Sequence, residues 1–179
     1  LLPTVNAGSA MSAICQGSTS AALGGSFGGG ATSAVWSDGG AGGTFNNNGG
    51  TTPGTATYTA SATSASPVTL TLTTSGGSCG TTSTSKNIAV NTPPSISSQP
   101  SNQTDCVGGP GVTFSVTASG TSPTYQWQYS LNGTTWSNVA NNTPANTTDG
   151  GGTTATLTVT PNASAAGGTY YYRVVVSVN

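Results

Sequence analysis

The sequence predicts an all-β protein made of two tandem antiparallel β-sandwiches, and three observations carry that expectation. The first is apolar–polar alternation at period two, as in TATYTA (Thr55–Ala60), LTLTT (Leu70–Thr74) and TYQWQYS (Thr124–Ser130). Such alternation places one set of side chains on each face of a strand. The second is the punctuation between these runs by glycine-rich turns, GGG at Gly28–Gly30 and GGAGG at Gly39–Gly43, with no helical periodicity anywhere. The third is an internal repeat. PTVNAGSAMSAICQG (Pro3–Gly17) and PSISSQPSNQTDCVG (Pro94–Gly108) share the interval from proline to cysteine, and each cysteine is followed two residues later by glycine. A repeated unit of this length reads as two domains, residues 1–92 and 93–179, joined at the stiff Pro93-Pro94 step.

In the first unit, strands are expected near Thr4–Asn6, Ala21–Phe27, Ser33–Trp36, Ala56–Ala60, Val68–Thr73 and Lys86–Val90. Trp36 is its only tryptophan and its expected core anchor. In the second unit, strands are expected near Ser95–Ser97, Val112–Ala118, Thr124–Ser130, Thr135–Val139, Thr154–Thr160 and Thr169–Val178, with a long polar loop from Ala140 to Gly152. The stretch Thr124–Trp136 organises this unit. Tyr125, Trp127 and Tyr129 fall on one face of a strand. Asn132-Gly133 then suggests a two-residue type I′ turn, because both residues tolerate positive φ. Counted across that turn, Leu131 faces Thr134 and Tyr129 faces Trp136.

Composition narrows the function. Charged residues make up 3% of the 179, against about 25% in ordinary soluble domains. With a formal net charge of −1 there is no basic patch to neutralise phosphates, which argues against nucleic acid as a partner. No apolar run reaches the roughly 20 residues of a membrane span, so direct membrane insertion is not expected. Asp38, Asp105 and Asp149 are isolated, and there is no histidine. Acid–base pairs, a base-activated nucleophile, a calcium cluster and a zinc set therefore all lack their parts, and the glycine-rich stretches do not match a phosphate loop. The expectation is a protein that is not an enzyme, with no cofactor and no metal. Trp136 with Tyr129 is the one aromatic pair that could stack on a sugar, although covering a core is the commoner job of such a pair.

Within the second unit, GVTFSVTASG (Gly111–Gly120), TYQWQYS and AGGTYYYRVVV (Ala166–Val176) resemble strands B, C and F of the immunoglobulin-like fold. The resemblance implies that Trp127 is the core tryptophan and Tyr170 the corner tyrosine. It also puts Val116 and Tyr172 where antibody domains carry their cysteines, so Val116, Trp127 and Tyr172 are expected to hold the core by packing. Judged against the first unit, the second is expected to lack its last strand and the counterpart of Cys79. That strand would come from a longer chain or from a neighbouring one. Cys15, before strand B, and Cys79, in the turn joining the last two strands, are assigned to one end of the first sandwich. A Cys15–Cys79 disulfide is expected from that placement, and Cys106, the repeat of Cys15, is expected to find its partner beyond Asn179. The alternative is three free thiols.

Taken over nearly its whole length, on ICQGSTSAALGGSFGGGATSAVWSDGGAGGTF (Ile14–Phe45), QWQYSLNGTTW (Gln126–Trp136) and GGTYYYRVVV, the chain resembles tandem PKD-like and Ig-like repeats of large secreted Bacteroidetes cell-surface adhesins of the gliding type. The resemblance implies an extracellular, surface-displayed stalk whose partners are neighbouring repeats of the same or an adjacent chain, together with surface polysaccharide. A filament subunit completed by strand donation and a carbohydrate-binding module of a secreted enzyme are the alternatives.

Overall fold

Alternation becomes strand wherever one face can be buried. The computed structural model describes residues 1–178, which divide into two compact units, one of Leu1–Thr92 and one beginning at Pro93. Apart from a single 3₁₀ turn at Pro53–Thr55, every regular element is a β-strand.

The first unit contains β1 (Thr4–Asn6), β2 (Ile14–Cys15), β3 (Ser26–Gly28), β4 (Ser33–Ser37), β5 (Thr44–Asn46), β6 (Thr57–Thr59), β7 (Val68–Ser75), β8 (Ser83–Ile88) and β9 (Val90–Asn91). One layer has the order β4-β7-β8, all antiparallel. β9 follows β8 after one residue and pairs in parallel with β2, Ile14 beside Val90 and Cys15 beside Asn91. The other layer pairs β1 with β3 and β5 with β6. The chain before β3 runs along β6, with Ser20 N donating to Tyr58 O and Leu23 N to Ala56 O, both at 2.8 Å.

β7 shows why the sandwich closes. Val68, Leu70, Leu72 and Thr74 point inward and are buried, while the intervening residues are more exposed. They meet Trp36, Tyr58, Ile88 and Val90 in one core. Burying each large apolar side chain is worth about 1.5–3 kcal/mol. Trp36 is 2% exposed, and its Nε1 donates to the Pro53 carbonyl at 3.0 Å, so the ring adds no unsatisfied polar group. Gly43 earns its place by contact. A Cβ there would sit 2.3 Å from Tyr58 Oη, and the Tyr58 ring is fully buried.

The second unit contains β10 (Ser95–Ser98), β11 (Val112–Ser115), β12 (Thr117–Ser119), β13 (Thr124–Ser130), β14 (Ser137–Asn138), β15 (Thr147–Gly150), β16 (Thr156–Pro161) and β17 (Tyr171–Ser177). One layer joins β10 to β12 and orders β11-β16-β15, and the other has the order β14-β13-β17. Two expectations are corrected here. The polar stretch Ala140–Gly152 is not all loop, because β15 lies within it and pairs antiparallel with β16. The hairpin after β13 is not closed by a two-residue type I′ turn. Gly133 has φ of 73°, but Asn132 is not among the residues with positive φ.

Ser130 and Asn132 explain the hairpin. Ser130 Oγ accepts from Asn132 N and Gly133 N, while Asn132 Oδ1 accepts from Thr134 N and Thr135 N. These side chains satisfy the backbone of a wider loop. The register becomes Tyr129 beside Ser137 and Gln128 beside Asn138.

The glycine contacts give a paired test. Gly43→Ala should cost the first unit about 1–3 kcal/mol through forced overpacking against Tyr58. Gly150→Ala, where a Cβ meets nothing within 4 Å, should change stability by no more than about 0.5 kcal/mol. Denaturant unfolding of both variants checks the difference.

Candidate functional site

The site is built from β17 and what lies beside it. β13 pairs with β17 along its whole length, Thr124 with Ser177 through to Ser130 with Tyr171. Trp127 is fully buried at the centre, its Nε1 donating to Thr154 O at 2.9 Å. Phe114 stacks on Tyr172 with ring centroids 5.1 Å apart and meets Trp127 at 6.3 Å. Val116, Val139, Leu157 and Val159 complete the buried cluster, with Tyr129, Tyr172 and Val174 among the residues packed against it. Tyr170 Oη donates to the Ala166 carbonyl at 3.0 Å, pinning the corner that leads into β17.

In the first unit the equivalent strand β7 is flanked on both sides, by β4 and by β8. β17 is flanked by β13 alone among the described residues. The segment Ser101–Cys106, which repeats the chain leading through β2, is in no strand, whereas β2 lies against β9. Between this segment and β17 opens a groove of about 370 Å³, walled by Val112, Phe114, Val159 and Tyr172 and by Asp105, Val107 and Tyr170 at its rim. A neighbouring groove of about 480 Å³ shares Phe114, Tyr170 and Tyr172 and adds Pro100, Ser101 and Trp136. Core-type aromatics thus line an accessible slot.

Asp105 fixes one lip of that slot. Its Oδ1 accepts from Cys106 N and its Oδ2 from Gly111 N, both at 2.8 Å. Asp149 lies in β15. Its Oδ2 accepts from Thr147 Oγ1, while its Oδ1 is buried with no partner. Burial pushes the Asp149 carboxyl above its ordinary range, and the Thr147 hydroxyl and the Thr143 backbone only partly oppose this. Burial, then the nearby Asp149 charge, pushes the Tyr172 phenol up as well. Nothing in the sequence around Asp149 signals its burial, since β15 was hidden in a polar stretch.

The expected pairing of Tyr129 with Trp136 across the hairpin is not formed, since Tyr129 lies beside Ser137. Tyr129 packs on the core cluster, and Trp136 is not among the residues packed there. Trp136 is instead covered by the Arg173 guanidinium, 4.3 Å from the ring centroid, and Arg173 Nε donates to Gln128 Oε1 at 2.8 Å. Lys86, in β8 at the end of the β4-β7-β8 order, has its Nζ at the Leu23 carbonyl and 5.3 Å from the centre of the Trp36 ring.

The cysteines are also corrected. Cys15, Cys79 and Cys106 are all free and exposed. β8 runs from Ser83, close to Cys79, to Ile88, and Cys15 lies beside Asn91 beyond its far end. Eight residues of strand separate the two ends, roughly 25 Å. Two cysteines more than about 7 Å apart at Cα cannot be bridged. Assigning both to one end of the sandwich was the error. The partner expected for Cys106 lies outside the described residues.

Among the described residues, no group of three His, Cys, Asp or Glu side chains is gathered where it could hold a metal, and no helix is long and apolar enough to cross a membrane.

No protein-family model matches the chain, and no curated protein matches it. Solved structures do. The N-terminal eight Ig domains of Down Syndrome Cell Adhesion Molecule, isoform 1.30.30, are similar over 98% of this chain and 24% of that one, with a TM-score of 0.61 and 17% identity. An I-band fragment of titin is similar over 97% of this chain and 64% of that one, with a TM-score of 0.57 and 11% identity. An E-to-A variant of three titin Ig domains covers 99% and 61%, at 0.55 and 13%. This chain therefore spans about a quarter of the first structure and under two thirds of the others. At these identities the likeness is one of fold. The two units are Ig-like β-sandwiches in tandem.

Two outcomes follow from the site. Because the folded Asp149 carboxyl binds its proton more tightly than the unfolded one, its contribution is most favourable below the unfolded value. It is lost as pH rises through the raised folded value. Stability measured by urea unfolding should fall over that acid window in wild type and show a shallower fall in Asp149→Asn. Separately, Cys15→Ser with Cys79→Ser should leave the unfolding midpoint unchanged, with or without reductant.

Proposed function

We propose that the chain is a non-enzymatic structural segment of an extracellular cell-surface adhesin, two units of a stalk that presents distance and carries load. The observation that supports this reading best is two Ig-like sandwiches in one chain with their largest side chains spent on packing. The Down Syndrome Cell Adhesion Molecule is an adhesion protein built from the same kind of unit, and the resemblance to Bacteroidetes gliding-type repeats points to export and surface display. A surface of Ser, Thr, Asn and Gly with very few charges suits such a role, because its solubility depends little on salt. The carbohydrate-module alternative loses its support with the Tyr129–Trp136 pairing.

The test is immunogold labelling of intact cells of the source organism with antibodies raised against residues 1–179. Labelling without permeabilisation, removed by external protease, is the expected result. Labelling only after permeabilisation would sink the reading.

A further inference from the structure

We infer that the second unit is a strand acceptor. The edge of β17 and the groove beside it take up an extended polypeptide segment that is not among residues 1–178. The segment runs antiparallel to β17 and parallel to Asp105–Cys106, with two aliphatic side chains spaced two residues apart pointing into the groove. This inference does not rest on the surface-adhesin reading.

The first unit supplies the pattern of the occupant. Trp36 pairs with Leu72 and Trp127 with Val174, so the two tryptophans align β7 with β17. Leu70 then corresponds to Tyr172 and Val68 to Tyr170. β8 pairs Ile88 with Val68 and Lys86 with Leu70, and β9 continues to Val90 beside Ile14 and Asn91 beside Cys15. Carried onto the second unit, the aliphatic pair falls at Tyr170 and at the Asp105 lip, at the mouth of the 370 Å³ groove. In the first unit those two side chains, Ile88 and Val90, are 0% and 2% exposed.

Three features of the second unit converge on one open strand position. Among the described residues β17 is paired on one side only and Ser101–Cys106 has no strand partner where β2 has one, while Phe114 and Tyr172 line an open groove where the first unit has a filled core. Main-chain bonds to an open edge supply affinity, and alternate side chains entering a groove supply selectivity. A small ligand would satisfy the groove alone. Only a strand satisfies the groove and both backbone edges.

The probe is the nonapeptide STSKNIAVN, the sequence of Ser83–Asn91, added to the 179-residue chain, with a control peptide carrying Ile88→Asn and Val90→Asn. Amide exchange is followed by residue. At ten times its Kd, the probe should slow the β17 amides that point away from β13 about tenfold, and the control should not. A second probe, the same peptide with Asn91→Cys, is incubated in glutathione disulfide buffer. Register places its thiol beside Cys106, so mass mapping should find the mixed disulfide there in preference to Cys15 and Cys79, which are also exposed. Protection equal for probe and control, protection appearing only in β7, or label spread evenly over the three cysteines would each overturn the inference.

Discussion

Each unit hangs on one hydrogen bond made by one ring. In the first, Trp36 Nε1 reaches the Pro53 carbonyl; in the second, Trp127 Nε1 reaches the Thr154 carbonyl. Both tryptophans sit mid-strand in one layer, and both acceptors lie just before the strand that crosses behind them in the other layer. The indole therefore does two things at once. It fills the largest single volume of the core, and it ties the two layers together through a polar atom that would otherwise be costly to bury. Everything else in the core is arranged around a plate whose position is fixed at both its apolar body and its polar tip.

That arrangement matters more here than in an ordinary domain, because the surface contributes so little. With five charged side chains in the chain, ion pairs cannot set register or orientation. Hydroxyls and amides take over. Ser33 and Ser75 hydroxyls meet at 2.7 Å across β4 and β7, Thr19 and Thr59 at 2.8 Å, and Gln128 Nε2 donates to Asn138 Oδ1 at 2.9 Å. Each is a neutral bond worth about 0.5–1.5 kcal/mol. A scaffold held this way keeps its geometry over wide ranges of salt, since there is little charge to screen.

Strand identity was legible because period-two alternation needs only one buried face, and β4, β7, β13 and β17 each present one. The tryptophan anchors were legible because a lone large ring in a strand has few other places to go. What failed was register and end. The Asn132-Gly133 pair is a strong turn signal, yet Ser130 and Asn132 side chains offered the backbone enough acceptors to hold a wider loop, and that moved Trp136 out of register with Tyr129. Cys15 and Cys79 failed for a related reason. Sequence gives the order of strands but not which end of the sandwich a connection occupies, and here the direction of β8 decides it. β15 was invisible because its residues, TTDG, have no apolar alternation; it exists only because β16 offers it a ladder.

The two units also show how far packing depends on the final strand. The fully buried Ile88 and Val90 close the first core from β8 and β9, and the adjoining end of β7 carries the aliphatic Val68 and Leu70. In the second unit the positions equivalent to Val68 and Leu70 are Tyr170 and Tyr172. A tyrosine is suited to a surface that is alternately wet and covered: its ring gains from burial while its hydroxyl can still be satisfied, as Tyr170 is by Ala166. Leucine at Tyr172 would leave an apolar wall exposed whenever the groove was empty. The rise in the Tyr172 phenol follows from the same placement, a ring deep enough to be desolvated and stacked on Phe114 yet lining a groove that stays open. The aromatic substitution on β17 is thus consistent with an edge that must remain soluble before it is filled.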